Sequence, residues 1–154
     1  MAAGTWKIFK KAKRYLANGT ITLGAGVFKM SLHRASASAV FAALAISTFA
    51  SAVGEISARG GYAAGGRNLP PATAKWTTGA SAGQMKFSYT AAGLVYTANG
   101  SALNNIKYAL IRNSTGAGAG KVLCFCTLSS TAFTISSPNT LTISPAATGV
   151  FTLT

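Results

Sequence analysis

Met85-Lys86-Phe87-Ser88-Tyr89, then Thr90-Ala91-Ala92-Gly93, then Leu94-Val95-Tyr96-Thr97, reads as two short strands joined by a turn. Met85, Phe87 and Tyr89 alternate with Lys86 and Ser88, the period-two pattern of a strand with one buried face. The same unit recurs on both sides of this stretch. Strands are predicted over residues 72–77, 85–89, 94–97, 106–112, 122–127, 132–135, 141–143 and 150–153, with Gly, Asn, Ser and Pro at the breaks between them. A parallel α/β sheet needs helices between its strands, and this spacing leaves no room for them. The expected fold is therefore mainly β, an antiparallel β-sandwich or jelly roll, with a short N-terminal amphipathic helix.

Upstream, residues 20–23 and 27–32 also alternate, with Phe28, Met30 and Leu32 on one face. Residues 39–46 fit either a short helix or a buried strand. Residues 35–54 carry no charge, and that length could span a bilayer. They are mainly Ala and Ser, interrupted by Thr48, and read as a mostly buried soluble stretch. As a signal peptide they would need an n-region reaching to Arg34, which is far too long.

Residues 5–16 form the predicted helix, with Thr5 as N-cap and Asn18-Gly19 as its stop. Ile8, Ala12 and Leu16 make its apolar stripe, while Lys7, Lys10, Lys11, Lys13 and Arg14 cover much of the rest. One domain over 1–154 is expected, with residues 1–18 as the basic helix and 19–154 as the sandwich.

Fourteen Lys and Arg stand against one acid, Glu55, for a formal net charge of +13 in 154 residues. Because 49% of residues are hydrophobic and only 10% charged, this is a folded domain and not a polybasic tail. One Glu and one His (His33) cannot build a paired-carboxylate site, a catalytic triad or a zinc centre. No enzymatic activity, cofactor or metal is expected. A residual catalytic role would have to rest on His33, Glu55 or a cysteine. Cys124 and Cys126 lie two apart in an apolar run, so they share a strand face at or beyond disulfide reach and read as buried reduced thiols. That pattern suits a reducing compartment.

Two glycine-rich loops, residues 60–68 and 114–120, connect strands. Lys121 follows the second, but a phosphate-binding loop opens a helix and this one opens a strand, so a hairpin is predicted.

A +13 chain implies an acidic partner. Trp6-Lys7-Ile8-Phe9-Lys10-Lys11 resembles the opening of the cecropin antimicrobial peptides over about six residues, which implies a membrane-surface role. An acidic protein surface explains the helix equally well, and a membrane ranks below it. Nucleic acid ranks between the two. The remaining bases, Lys29, Arg34, Arg59, Arg67, Lys75, Lys86, Lys107, Arg112 and Lys121, are scattered one to a segment. Lys86-Phe87-Ser88-Tyr89 and Lys107-Tyr108 hint at a stacking platform for single strands, but their alternation reads better as core.

The order Asn18-Gly19-Thr20-Ile21, Phe28-Lys29-Met30-Ser31-Leu32, Gly60-Gly61-Tyr62, Gly65-Gly66-Arg67-Asn68-Leu69, Trp76-Thr77-Thr78-Gly79-Ala80, Leu141-Thr142-Ile143-Ser144 and Gly149-Val150-Phe151-Thr152-Leu153 resembles small virion structural proteins of tailed bacteriophages, most nearly the capsid cement or decoration proteins. Members of that class are usually more acidic than this chain. The resemblance implies a jelly roll on the capsid exterior, assembled in the host bacterial cytoplasm and bridging major capsid proteins, with a homodimer on the shell as one arrangement. The residues expected to dock are Trp6, Lys7, Lys10, Lys11, Lys13 and Arg14 of the basic helix, then the loop residues Arg59, Arg67 and Asn68. A tail or connector component of the same virion class and a basic nucleic-acid-binding β module are the rival expectations.

Overall fold

A computed structural model of the chain describes residues 4–73 and 75–153. Its elements in chain order are β1 (Lys7–Ile8), α1 (Lys10–Ala17), β2 (Val27–His33), α2 (Ser38–Ala42), β3 (Arg67–Thr73), β4 (Lys75–Thr78), β5 (Met85–Ser88), β6 (Leu94–Thr97), β7 (Leu103–Ile106), β8 (Tyr108–Asn113), β9 (Val122–Thr127), β10 (Phe133–Ile135), β11 (Thr140–Ile143) and β12 (Phe151–Leu153). The protein is mainly β, and every strand pairing is antiparallel.

The pairing is nested. β8 pairs with β9, β7 with β10, β6 with β11 and β5 with β12, so the second half of the chain is one long hairpin laid back on itself. The 114–120 loop is its tip, as the sequence predicts for that connection. That loop is tied down: Ser114 N–H donates to the Val27 carbonyl at 2.8 Å, and the Val27 N–H donates to Thr115 Oγ1 at 3.0 Å. The earlier strands add to this hairpin at both edges. The tip pair grows into a five-stranded sheet, β1-β9-β8-β2-β3, and β4 joins β5 and β12.

Strand alternation then sorts the side chains. Phe28, Met30 and Leu32 of β2 share a face with Ile111 and Ala109 of β8 and with Cys124 and Cys126 of β9, and all are buried. The other strands pack over that face: Phe28 meets Phe87 at 5.1 Å, Phe87 stacks on Phe151 at 5.2 Å, and the Tyr96 hydroxyl donates to the Met30 carbonyl. This is a β-sandwich core. The opposite face of the five-stranded sheet has its own cover. Phe41 of α2 sits 4.9 Å from Phe125, 5.3 Å from Tyr108, 5.2 Å from His33 and 6.0 Å from Phe9, measured between ring centres.

Several expectations change here. The helix predicted over residues 5–16 begins only at Lys10, with Phe9 and not Thr5 at the N-cap position. Lys7 and Ile8 instead pair with Phe125 and Cys124, and the Phe9 N–H donates to the Leu123 carbonyl at 3.1 Å. The aromatic and β-branched residues of 6–9 suit an extended edge, and burying Phe9 against Phe41 and Phe125 outweighs what one more helical turn would gain. The segment is thus joined to the sheet through β1, and α1 is not an appended helix standing apart from it. Residues 20–23 turn and do not form a strand, although Ile21 and Leu23 are buried.

The strand predicted over 106–112 is broken at Lys107, where Ile106 closes β7 and Tyr108 opens β8, and within β7 Asn105 adopts φ +60°, a conformation asparagine tolerates. β3 runs through Pro70-Pro71, which the sequence reading left outside any strand. It stands last in its sheet, where a missing N–H is harmless. Residues 35–54 are two short helical pieces and irregular chain. Their large side chains Phe41 and Ile46 are buried, while Ala39, Ala42, Ala43, Ala45 and Val53 face outward. Among the described residues no helix is long and apolar enough to cross a membrane.

Candidate docking surface

The basic residues of the N-terminal segment stay together despite the shorter helix. In α1 only Ala12 is fully buried, beneath the helix, and Lys10, Lys11, Lys13 and Arg14 are all exposed, as is Lys7 on the adjoining β1. Lys121, far away in sequence, joins them by placing its ammonium 5.4 Å from the centre of the Tyr15 ring. Only the fold reveals this neighbour, because the β8–β9 hairpin ends beside α1.

The local energetics are unfavourable. Lys10 and Lys11 occupy the first turn of α1, where the helix dipole favours acids, and no side chain caps that end. Arg14, in the last turn, is the one base placed where the dipole helps.

Trp6 does not belong with this exposed set. Its side chain is 8% exposed, its indole N–H has no hydrogen-bond partner, and with Val150 and Phe151 it lines a surface groove of about 400 Å³. As in any strand, it points opposite to Lys7, toward the β12 side of the sandwich.

The second predicted group lies elsewhere. β3 carries Arg67 and Asn68 at the far edge of the sheet from β1, four strand spacings or about 19 Å away. Arg67 is exposed but committed, its guanidinium donating to the Val95 carbonyl. Arg59 is exposed in the turn closed by its backbone exchange with Tyr62. Asn68, Lys29 and Arg112 lie side by side on β3, β2 and β8. The like charges of Lys29 and Arg112 face each other directly, which opposes pairing. Arg112 relieves this by turning onto Phe49, 4.3 Å from its ring, and donating to the Gly65 carbonyl at 3.1 Å. The structure therefore gives two separate basic edges and not one patch.

The single carboxylate is structural. Glu55 Oε1 accepts from the Tyr62 hydroxyl and the Gly65 N–H, each at 2.6 Å, and Tyr62 in turn accepts from the Leu32 N–H. Burial and the hydrogen bond to Glu55 push the Tyr62 phenol far up.

One arrangement escaped the sequence reading. Ser31 Oγ lies 2.9 Å from His33 Nε2, and His33 Nδ1 donates to the Val53 carbonyl at 3.1 Å. That fixes the tautomer, so Nε2 accepts from the serine. Spacing alone could have shown it, since residues two apart share a strand face. Ser31 and His33 are each fully buried, which leaves no room for a substrate between them. Desolvation lowers the His33 pKa despite the raising effects of Val53 and Glu55.

Cys124 and Cys126 are free and buried. Burial pushes both thiols up, Cys126 to about 12. Among the described residues no three His, Cys, Asp or Glu side chains come together to hold a metal ion. Phe87, Tyr89 and Tyr108, the aromatics beside Lys86 and Lys107, are all under 8% exposed and present no free ring face to a base. Comparison with protein-family models, curated proteins and solved structures finds no match for this chain.

Proposed function

We propose that this chain is a non-enzymatic structural protein of a tailed-phage virion. In this reading it binds the outside of the capsid and cements neighbouring major capsid proteins. The observation that carries it is the exposed basic edge of β1 and α1, with Lys121 beside it, in a chain whose one carboxylate side chain is already engaged. Such an edge is complementary to an acidic protein surface, and repeated placement on a symmetric shell multiplies a weak contact into firm attachment. The nested antiparallel pairing supports the finer description of the fold as a jelly roll, because a long hairpin rolled up on itself is how that architecture arises. The extra roof of residues 34–56 would then be an elaboration on it. The buried aromatics weigh against single-stranded nucleic acid as the partner.

Charge reversal is a better test than truncation, because residues 7–9 complete the sheet. Shells emptied of nucleic acid are incubated with wild-type protein or with Lys10→Glu/Lys13→Glu, then pelleted across a salt series. Wild type should saturate the shells, and the variant should lose tenfold or more in affinity. Equal occupancy of the two proteins overturns the docking edge. Immunogold on intact virions then tests the place: label confined to the tail or one vertex overturns the cement role.

A further inference from the structure

We propose that an apolar groove at the end of α1 receives one aliphatic or aromatic side chain from an acidic segment of the partner protein. This deepens the acidic-partner reading above and rests on it. The groove, about 420 Å³, is lined by Leu16, Ile21, Leu23, Trp76 and Leu153. Such a volume lies within the range of functional pockets, about 300–1,000 Å³.

Its origin is an unfinished edge of the sandwich. Trp76 pairs with Phe87 and Leu153 with Met85, so both share the core-facing side of the β12-β5-β4 sheet. At this end the five-stranded sheet does not cover them. Instead the α1–β2 connection supplies the opposite wall, with Ile21 and Leu23 as a buried floor. Leu153 is left 39% exposed and Leu16 and Trp76 half-buried.

Charge selects the occupant. Lys13 precedes Leu16 by three positions, so on α1 it is an exposed neighbour of a residue that lines the groove, with Arg14 next to it. A second copy of this chain would bring another +13 beside these bases and offers a single acid side chain, already engaged. A segment with carboxylates flanking one large apolar residue satisfies both features: the bases attract it, and the groove distinguishes it from other acidic surfaces.

The probe is a fluorescein-labelled acidic peptide, Glu alternating with Ser around one central Leu, compared with the same peptide carrying Ser at the centre. Binding to the full-length protein is read by polarisation at 0.15 M salt. The Leu peptide should bind about tenfold tighter, as expected for partial burial of one aliphatic side chain. Leu153→Asn should remove that advantage while leaving the Ser peptide unaffected, and Thr22→Trp, which fills the groove from its exposed rim, should do the same. Lys13→Ser should weaken both peptides equally. Unchanged amide NMR spectra away from the groove show that each variant is folded.

Equal affinity for the two peptides, or an advantage that survives in both groove variants, overturns the proposal. So does a dimer in sedimentation that Leu153→Asn dissolves, or an oligo-dT that displaces the Leu peptide and binds more tightly. Shell pelleting separates this inference from the preceding one. A leucine advantage without shell binding overturns the shell reading alone. Shell binding that depends on Lys10 and Lys13 but shows no leucine advantage overturns the groove alone.

Discussion

His33 lies neutral between Ser31 and the Val53 carbonyl, roofed by Phe41 and Phe49. Desolvation is the largest influence on it, and Glu55 pulls the other way only in part. The unfolded chain therefore takes up a proton on this side chain first as pH falls. The stability this group contributes is complete above about pH 6.5 and is lost progressively below it, by up to about 1.4 kcal/mol per pH unit. The urea midpoint should drop between pH 6.5 and 5, and a His33→Gln variant, weaker overall, should be flat across that window. An unchanged slope in the variant assigns the acid sensitivity elsewhere. Gly66 gives a second residue-scale prediction. It has φ +77°, and a Cβ built on it would stand 1.9 Å from the Met30 carbonyl oxygen in the neighbouring strand. Gly66→Ala should cost about 3 kcal/mol or more in chemical denaturation, since it combines backbone strain with a backbone clash. Glycine is visible in the sequence there as part of a glycine-rich loop, but its reason is not: the fold uses Gly66 for a close approach to the backbone of β2.

α1 shows where local pattern and tertiary context part. The i, i+4, i+8 stripe of Ile8, Ala12 and Leu16 is real as a spacing, and Asn18 does end the helix. Ile8 nevertheless belongs to a strand, because β9 offers an unpaired edge that no sequence window reveals. The strands read from strict alternation, such as Met85–Ser88 and Leu94–Thr97, lie where the pattern puts them, since half-burial alone fixes their faces. β3 was hidden by its prolines, and β7 by Asn105, since both are exceptions that only an edge position or a left-handed residue makes tolerable. The basic residues from Lys7 to Arg14 are legible in the sequence as a charge cluster, but Lys121 as their neighbour is not. Placing Lys10 and Lys11 at the positive end of α1 works against stability. Lys10→Glu and Lys11→Glu should each raise stability by about 0.3–1 kcal/mol while weakening attachment to shells. A thermal melt and a pelleting assay on the same samples read the two opposite signs. Loss of both stability and binding overturns the claim that these lysines serve a partner at the helix's expense.

Across the whole molecule, +13 is carried on a 15.6 kDa fold with one carboxylate side chain, so folding brings like charges together with little ion pairing to offset them. Most proteins carry surface ion pairs that salt weakens; here screening has mainly repulsion to remove. The melting temperature should therefore rise as sodium chloride goes from 0.01 M to 0.1 M, while the Debye length shrinks from about 30 Å to about 10 Å. Most of the gain should come within that range, because repulsion between scattered bases such as Arg59, Lys86 and Lys121 acts over long distances. Reversing Lys10, Lys11 and Lys13 to Glu takes the net charge from +13 to +7 and should flatten the dependence. An acidic partner acts in the same direction as salt but binds only the folded state, so saturating amounts of the acidic peptide should raise the melting temperature further at low salt than at high salt. If melting instead falls with added salt, attractive pairs dominate, and the unmatched positive charge is not what the fold is holding in readiness for its partner.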